Sequence, residues 1–134
     1  MSWNDLVSNP QGLRVIFQGD PPPLVGVSLH EVSVDRDGPS LRLRFDLPGY
    51  PSDPPAKWHR LGFNTVQVEL LFGRVTELFL TGISTEVIAD ISIRRNSEVS
   101  VDGASLELVS PPMQISAVAA SLTVSRMSAY LNAG

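Results

Sequence analysis

These 134 residues contain no cysteine. That excludes disulfides, thiolate nucleophiles and cysteine metal sites, and it fits a reducing compartment. Lysine occurs once, at Lys57, and the other basic residues are arginines, a bias of composition rather than a mark of function. Histidine occurs twice, at His30 and His59. Two separated histidines do not supply the three or four ligands of a zinc site. The sequence has no HExxH, Walker loop, GxSxG or strand-following GxGxxG. The expectation is therefore no metal and no cofactor; no local motif points to an enzyme, and a catalytic group assembled from distant residues stays open.

Long apolar runs are missing too. None approaches the roughly 20 residues of a membrane span, and the start, MSWNDLVSNPQG, has no cationic stretch leading into an apolar one. The reading is a soluble cytoplasmic protein that engages no membrane. Clustered positive charge is scarce as well. The formal net charge is -4, and only Arg94-Arg95 and residues 57–60 bring basic side chains close together. A surface that neutralises nucleic-acid phosphates needs clustered Lys and Arg, so nucleic acid is excluded as a partner. The acidic balance suits a basic partner, but it is ordinary for a soluble protein, and that is the favoured reading.

What the chain does have is β texture and turn residues. Its length fits one domain, residues 1–134, with enough chain to bury a core unaided. Residues 3–18 read as a helix, with Ser8-Asn9 as a cap and Pro10 at the first helical position. Leu13, Ile16 and Phe17 lie on one face, and Gly19 with Pro21-Pro22-Pro23 ends it. Val25, Val27 and Leu29 then alternate, and Val32 and Val34 alternate in the other phase. That slip at His30-Glu31 predicts a β-bulge. Residues 35–39 form a turn, and Leu41, Leu43, Phe45 and Leu47 alternate with Arg42, Arg44 and Asp46 as the return strand of a hairpin.

Residues 48–62 carry four of the eleven prolines and read as a long loop, the kind of segment where function often sits. Strands follow at 66–72, at 75–81 after a turn at Gly73-Arg74, and at 87–93. Short strands are expected around Val99 and Val101 and around Leu106 and Leu108. Pro111-Pro112 is expected to break the pairing. Residues 115–124 read as a last strand and 126–132 as a short helical tail. Short strands without strand–helix alternation argue against a parallel sheet. The predicted fold is mainly β (α+β): an antiparallel meander forming a curved sheet or sandwich, with a short N-terminal helix packed on it.

Chemistry-bearing residues are few. His30 and Glu31 on adjacent strand positions point to opposite faces unless the bulge re-aims one, and the favoured reading of His30 is a half-buried ring tied to the backbone. Asp35, Asp37, Asp46 and Asp53 could gather near one end of the hairpin, although solvated turn residues describe them as well. In PPAKWHRLGF, Trp58 stands among Lys57, His59 and Arg60. It reads as a core ring closing the loop with its indole N–H on backbone, as an interface anchor, or as a stacking platform for a sugar or base.

The stretches NPQGLRVIF with Trp3 before it, LVGVSLHEVSV, LRLRFDLPGYP, and PPAKWHRLGFNTVQVELLF leading into VTELFLTGI together resemble the immunity protein 50 family of bacterial polymorphic toxin systems. The resemblance covers nearly the full chain and is tightest over residues 24–83. It implies a non-enzymatic protein that binds a cognate toxin domain and blocks it. The residues expected to contact such a partner are Trp58, Lys57, His59, Arg60, Tyr50, Asp53 and Asp46. Two other readings stand beside it: a small-ligand or carbohydrate-binding β module using Trp58, and an enzyme with His30 or His59 as base. Open strand edges also leave a homodimer open.

Overall fold

A computed structural model describes residues 2–133. Its strands are Val25–Asp35 (β1), Ser40–Asp46 (β2), Thr65–Thr81 (β3), Val87–Arg95 (β4), Ala104–Ser110 (β5) and Met113–Tyr130 (β6). They close into an antiparallel barrel in the order β1-β2-β3-β6-β5-β4. Two three-stranded meanders, β1-β2-β3 and β4-β5-β6, join where β3 pairs with β6 and β1 with β4. The barrel is more specific than the curved sheet or sandwich expected.

Alternation explains the core. Leu41, Leu43 and Phe45 of β2 and Val66, Val68, Leu70 and Phe72 of β3 are fully buried, while Arg42, Arg44, Gln67 and Glu69 between them face outward. Four of the buried positions on β4–β6 are alanines, at 89, 104, 117 and 119. Large residues from one meander and small ones from the other fill a narrow barrel, leaving side chains rather than a lumen inside it. The bulge expected in β1 is present: the register with β2 shifts between Leu29 and Glu31.

Several boundaries differ from expectation. Gly73-Arg74 does not reverse the chain. β3 runs through it as one 17-residue strand, because β6 lies alongside on both sides of that point. Gly73 sits opposite Ser121, so close that a Cβ there would lie 2.5 Å from the serine Oγ, and Arg74 takes a positive φ of 51°. With the register shift between Val75 and Glu77, these features kink the strand without ending it. Residues 67–73 pair with β2 and β6. Residues 75–81 pair with β6 alone.

Val99 and Val101 lie in the turn between β4 and β5, not in a strand. Pro111-Pro112, joined by a cis peptide bond, makes the tight connection from β5 to β6 instead of breaking the pairing. The expected helical tail at 126–132 is the end of β6, held by β3 from Glu69↔Arg126 to Thr65↔Tyr130. Long-range pairing overrides local propensity there.

The N-terminal helix is also divided. A 3-10 turn, Trp3–Leu6, precedes the helix Gln11–Phe17 (α1), which starts from Pro10 without a side-chain cap. Ser8 and Asn9 serve β6 instead of capping. The Ser8 N–H donates to Leu122 O at 2.9 Å. The Asn9 amide donates to Val124 O and accepts from Val124 N–H, both at 2.9 Å. One side chain thus imitates a neighbouring strand.

Candidate partner-binding site

The chain leaves the barrel at the end of β2 and returns at the start of β3. Between them lies a helix that the proline-rich texture had concealed, Ala56–Leu61 (α2). Pro55 precedes it with φ -51° and ψ 145°. Gly62 ends it in the left-handed region at φ 70°, its N–H donating to His59 O. Proline before and glycine after are the ordinary bounds of a helix.

The loop is pinned at several points. Gly49 passes close to Pro22, where a Cβ would lie 3.3 Å from the proline Cγ. The Gln18 amide donates to Asp53 at 3.3 Å. Tyr50 and Trp58 pack against the core with ring centroids 6.4 Å apart and planes tilted by 38°. Burial raises the Tyr50 phenol above its ordinary pKa, and its Oη has no hydrogen-bond partner among the described residues. The indole that bonds to backbone is Trp3's, donating to Pro22 O at 3.0 Å. Trp58 is half-buried, with its ring set against Tyr50 rather than lying open as a flat platform.

Lys57, His59 and Arg60 are exposed on α2, and none forms an ion pair among the described residues. The structure therefore brings together Tyr50, Trp58 and three solvent-facing cationic or titratable side chains. Asp53 is exposed at the loop's edge.

Asp46 stands apart from this group. It is 5% exposed and occupied on both oxygens. Oδ2 takes His30 Nε2 at 2.8 Å and the Tyr130 hydroxyl at 2.5 Å, and Oδ1 accepts from Gln67 Nε2 at 3.1 Å. Arg44 reaches Gln67 Oε1 at 3.3 Å. His30 is thus tied to a carboxylate and not to the backbone as expected; the bulge beside it turns its ring toward Asp46. Burial, followed by the hydrogen bond and charge of Asp46, pushes the Tyr130 pKa up to about 12, with Arg44 opposing. Asp35 and Asp37 lie at the hairpin tip, at the other end of β2 from Asp46, so the four aspartates do not converge. Among the described residues, no three His, Cys, Asp or Glu side chains gather in a way that could hold a metal ion.

Residues 9–130 match the immunity protein 50 family. The chain belongs to that family. No curated protein and no solved structure matches it. Membership makes it an immunity protein and implies a toxin as partner in general terms. The matched span of this immunity protein starts at Asn9, the residue that covers the β6 edge, and ends at Tyr130, the phenol on Asp46. It takes in all six strands.

Proposed function

We propose that this immunity protein binds a cognate bacterial toxin domain in the cytoplasm and blocks it by occlusion, without chemistry of its own. The family match over residues 9–130 carries the reading. The proposed contact surface is the loop at residues 48–62. Trp58, braced by Tyr50, is the anchor, and Lys57, His59, Arg60 and Asp53 form the polar surround. Interface anchors are characteristically aromatic side chains held in place before binding, inside a ring of weaker polar contacts. Asp46 enters this site as a buried support near the loop's start rather than as a contact.

No occlusive inhibitor needs a lumen or a nucleophile, and the inward positions of this barrel are filled by side chains. That arrangement does not favour a small-ligand module. The test is co-expression with the toxin domain encoded beside it, scored by growth and by co-elution. Rescue together with a stable complex is the expected result. Toxicity with neither rescue nor complex would refute the proposal for that pair.

A further inference from the structure

Among the described residues the ladders leave stretches of strand edge unpaired on β1, β3, β4 and β6, and three of them, on β6, β1 and β3, differ in how they are protected. Two of them carry devices that discourage pairing with another chain. The edge of β6 near residues 122–124 is covered by Ser8 and Asn9. The outer part of β1, residues 31–35, follows a bulge and carries Glu31 and Asp35. Bulges, charges and covering segments are the usual means of blunting an edge.

The third edge also follows a register shift, between Val75 and Glu77, and opens on Glu77, but beyond that residue it has no such device. Residues 77–81 of β3 pair with β6 on one side, and no ladder occupies the other side among the described residues. From Leu78 to Thr81 there is no charge, no proline and no register shift. The side chains are apolar and uncovered: Phe79 is 58% exposed, Leu78 39% and Leu80 37%. Leu78 and Leu80 stand opposite Ala117 and Ile115, on the face that looks into the barrel; Phe79 stands opposite Ser116 on the outer face.

We propose that this edge pairs with the same edge of a second copy of the chain, antiparallel about a two-fold axis at Phe79. The strand is its own complement in that register. A two-fold axis perpendicular to the sheet keeps inner faces together, so each residue must meet one of the same face. Centred on Phe79, the ring meets its twin, Leu78 meets Leu80, and Glu77 meets Thr81. Each carboxylate then faces a hydroxyl donor, with the exposed Gln114 amide one strand further on beside Thr81, and no two like charges are opposed. Aromatic and aliphatic cross-strand pairs are the favourable kind, and facing like charges the unfavourable kind. A toxin strand added to the same edge is the competing occupant. The dimer does not rest on the toxin reading.

The chain's lack of cysteine makes the register directly testable. Phe79→Cys is expected to form a disulfide-linked dimer on mild oxidation, whereas Leu80→Cys, which faces residue 78, is not. Sedimentation velocity of the free full chain from micromolar to near-millimolar concentration is expected to show reversible dimers. Phe79→Lys sets two ammonium groups against each other and is expected to weaken the dimer about thirtyfold or more. Its circular dichroism and melting should match the parent's, because the ring is exposed. A parent that stays monomeric throughout, or a Phe79→Lys dimer of unchanged strength, overturns the proposal. So does a monomeric parent whose toxin binding is lost in Phe79→Lys, which would assign the edge to the toxin.

Discussion

His30 and Tyr130 converge on a single oxygen, Oδ2 of Asp46, at 2.8 and 2.5 Å. Asp46 is buried and also accepts from Gln67, so one carboxylate organises donors from β1, β3 and β6. Replacing it leaves the half-buried Tyr130 hydroxyl and Gln67 amide without their acceptor, while the exposed His30 ring can turn to water; a fully buried polar group left unpaired costs about 1–3 kcal/mol. Asp46→Ala should lower stability by roughly 2–4 kcal/mol in urea unfolding at neutral pH. A loss near zero would show that the cluster is as well satisfied by solvent as by the carboxylate.

The phenol of Tyr130 gives the same cluster an alkaline limit. Its pKa is raised to about 12 in the folded protein, against about 10 for an ordinary tyrosine. A raised pKa means that the folded state holds a proton the unfolded state has released. The contribution to stability is therefore complete below about pH 10 and is lost as pH rises toward 12. Unfolding free energy should fall over that window in the parent, and Tyr130→Phe should flatten the fall. An identical slope in both proteins would remove Tyr130 from the account.

Trp58 and Tyr50 make the test of the proposed toxin-binding loop. Trp58→Ala should weaken toxin binding by about 2 kcal/mol, close to thirtyfold. Lys57→Glu with Arg60→Glu should act mainly on the association rate and its salt dependence, because both side chains are exposed and outside any ion pair among the described residues. Calorimetry and stopped-flow binding separate the two effects. Unchanged affinity in a folded Trp58→Ala, Tyr50→Ala protein would move the contact surface elsewhere.

Gly73 and Gly82 differ in a way that substitution can read. A Cβ at Gly73 would press on the Ser121 hydroxyl, the movable end of a side chain. At Gly82, φ is 72° and a Cβ would lie 2.3 Å from the backbone carbonyl oxygen of Pro112. Gly73→Ala should cost about 1 kcal/mol and recover most of it with Ser121→Ala. Gly82→Ala should cost about 2–4 kcal/mol with no such single-site rescue. Equal losses at both positions would contradict the kinked path of β3 and its approach to the β5–β6 connection.

What could be read from the sequence was the local part. Alternation located β1, β2 and the first half of β3, and the phase slip located the bulge beside His30. The helix α2 was legible in Pro55 and Gly62, yet four prolines over residues 48–62 masked it. Continuity of β3 through Gly73-Arg74 was not legible, because the same two residues also suit a turn and only β6 decides between them. Asp46 reads as a solvated strand residue until Tyr130, 84 positions away, is laid beside it. Asn9 reads as a helix cap for the same reason: its partner is Val124. Tyr50 and Trp58 lie in one loop and were each expected to contact a partner; that their rings pack on each other was not legible.

The order in which the strands are made sets a condition on folding. β3 is complete at Thr81, but the neighbour that flanks all of it begins only at Met113. Pairings this distant must pay loop-closure entropy before they gain contacts, and they fold slowly. During synthesis a seventeen-residue edge therefore waits for its partner. The β1–β2 and β2–β3 ladders can form without β6, but the barrel cannot close until β6 pairs along β3. A chain cut short before β6 should be recovered as aggregate or degraded fragments, not as a half-active inhibitor, and full protection would appear only when the last strand docks.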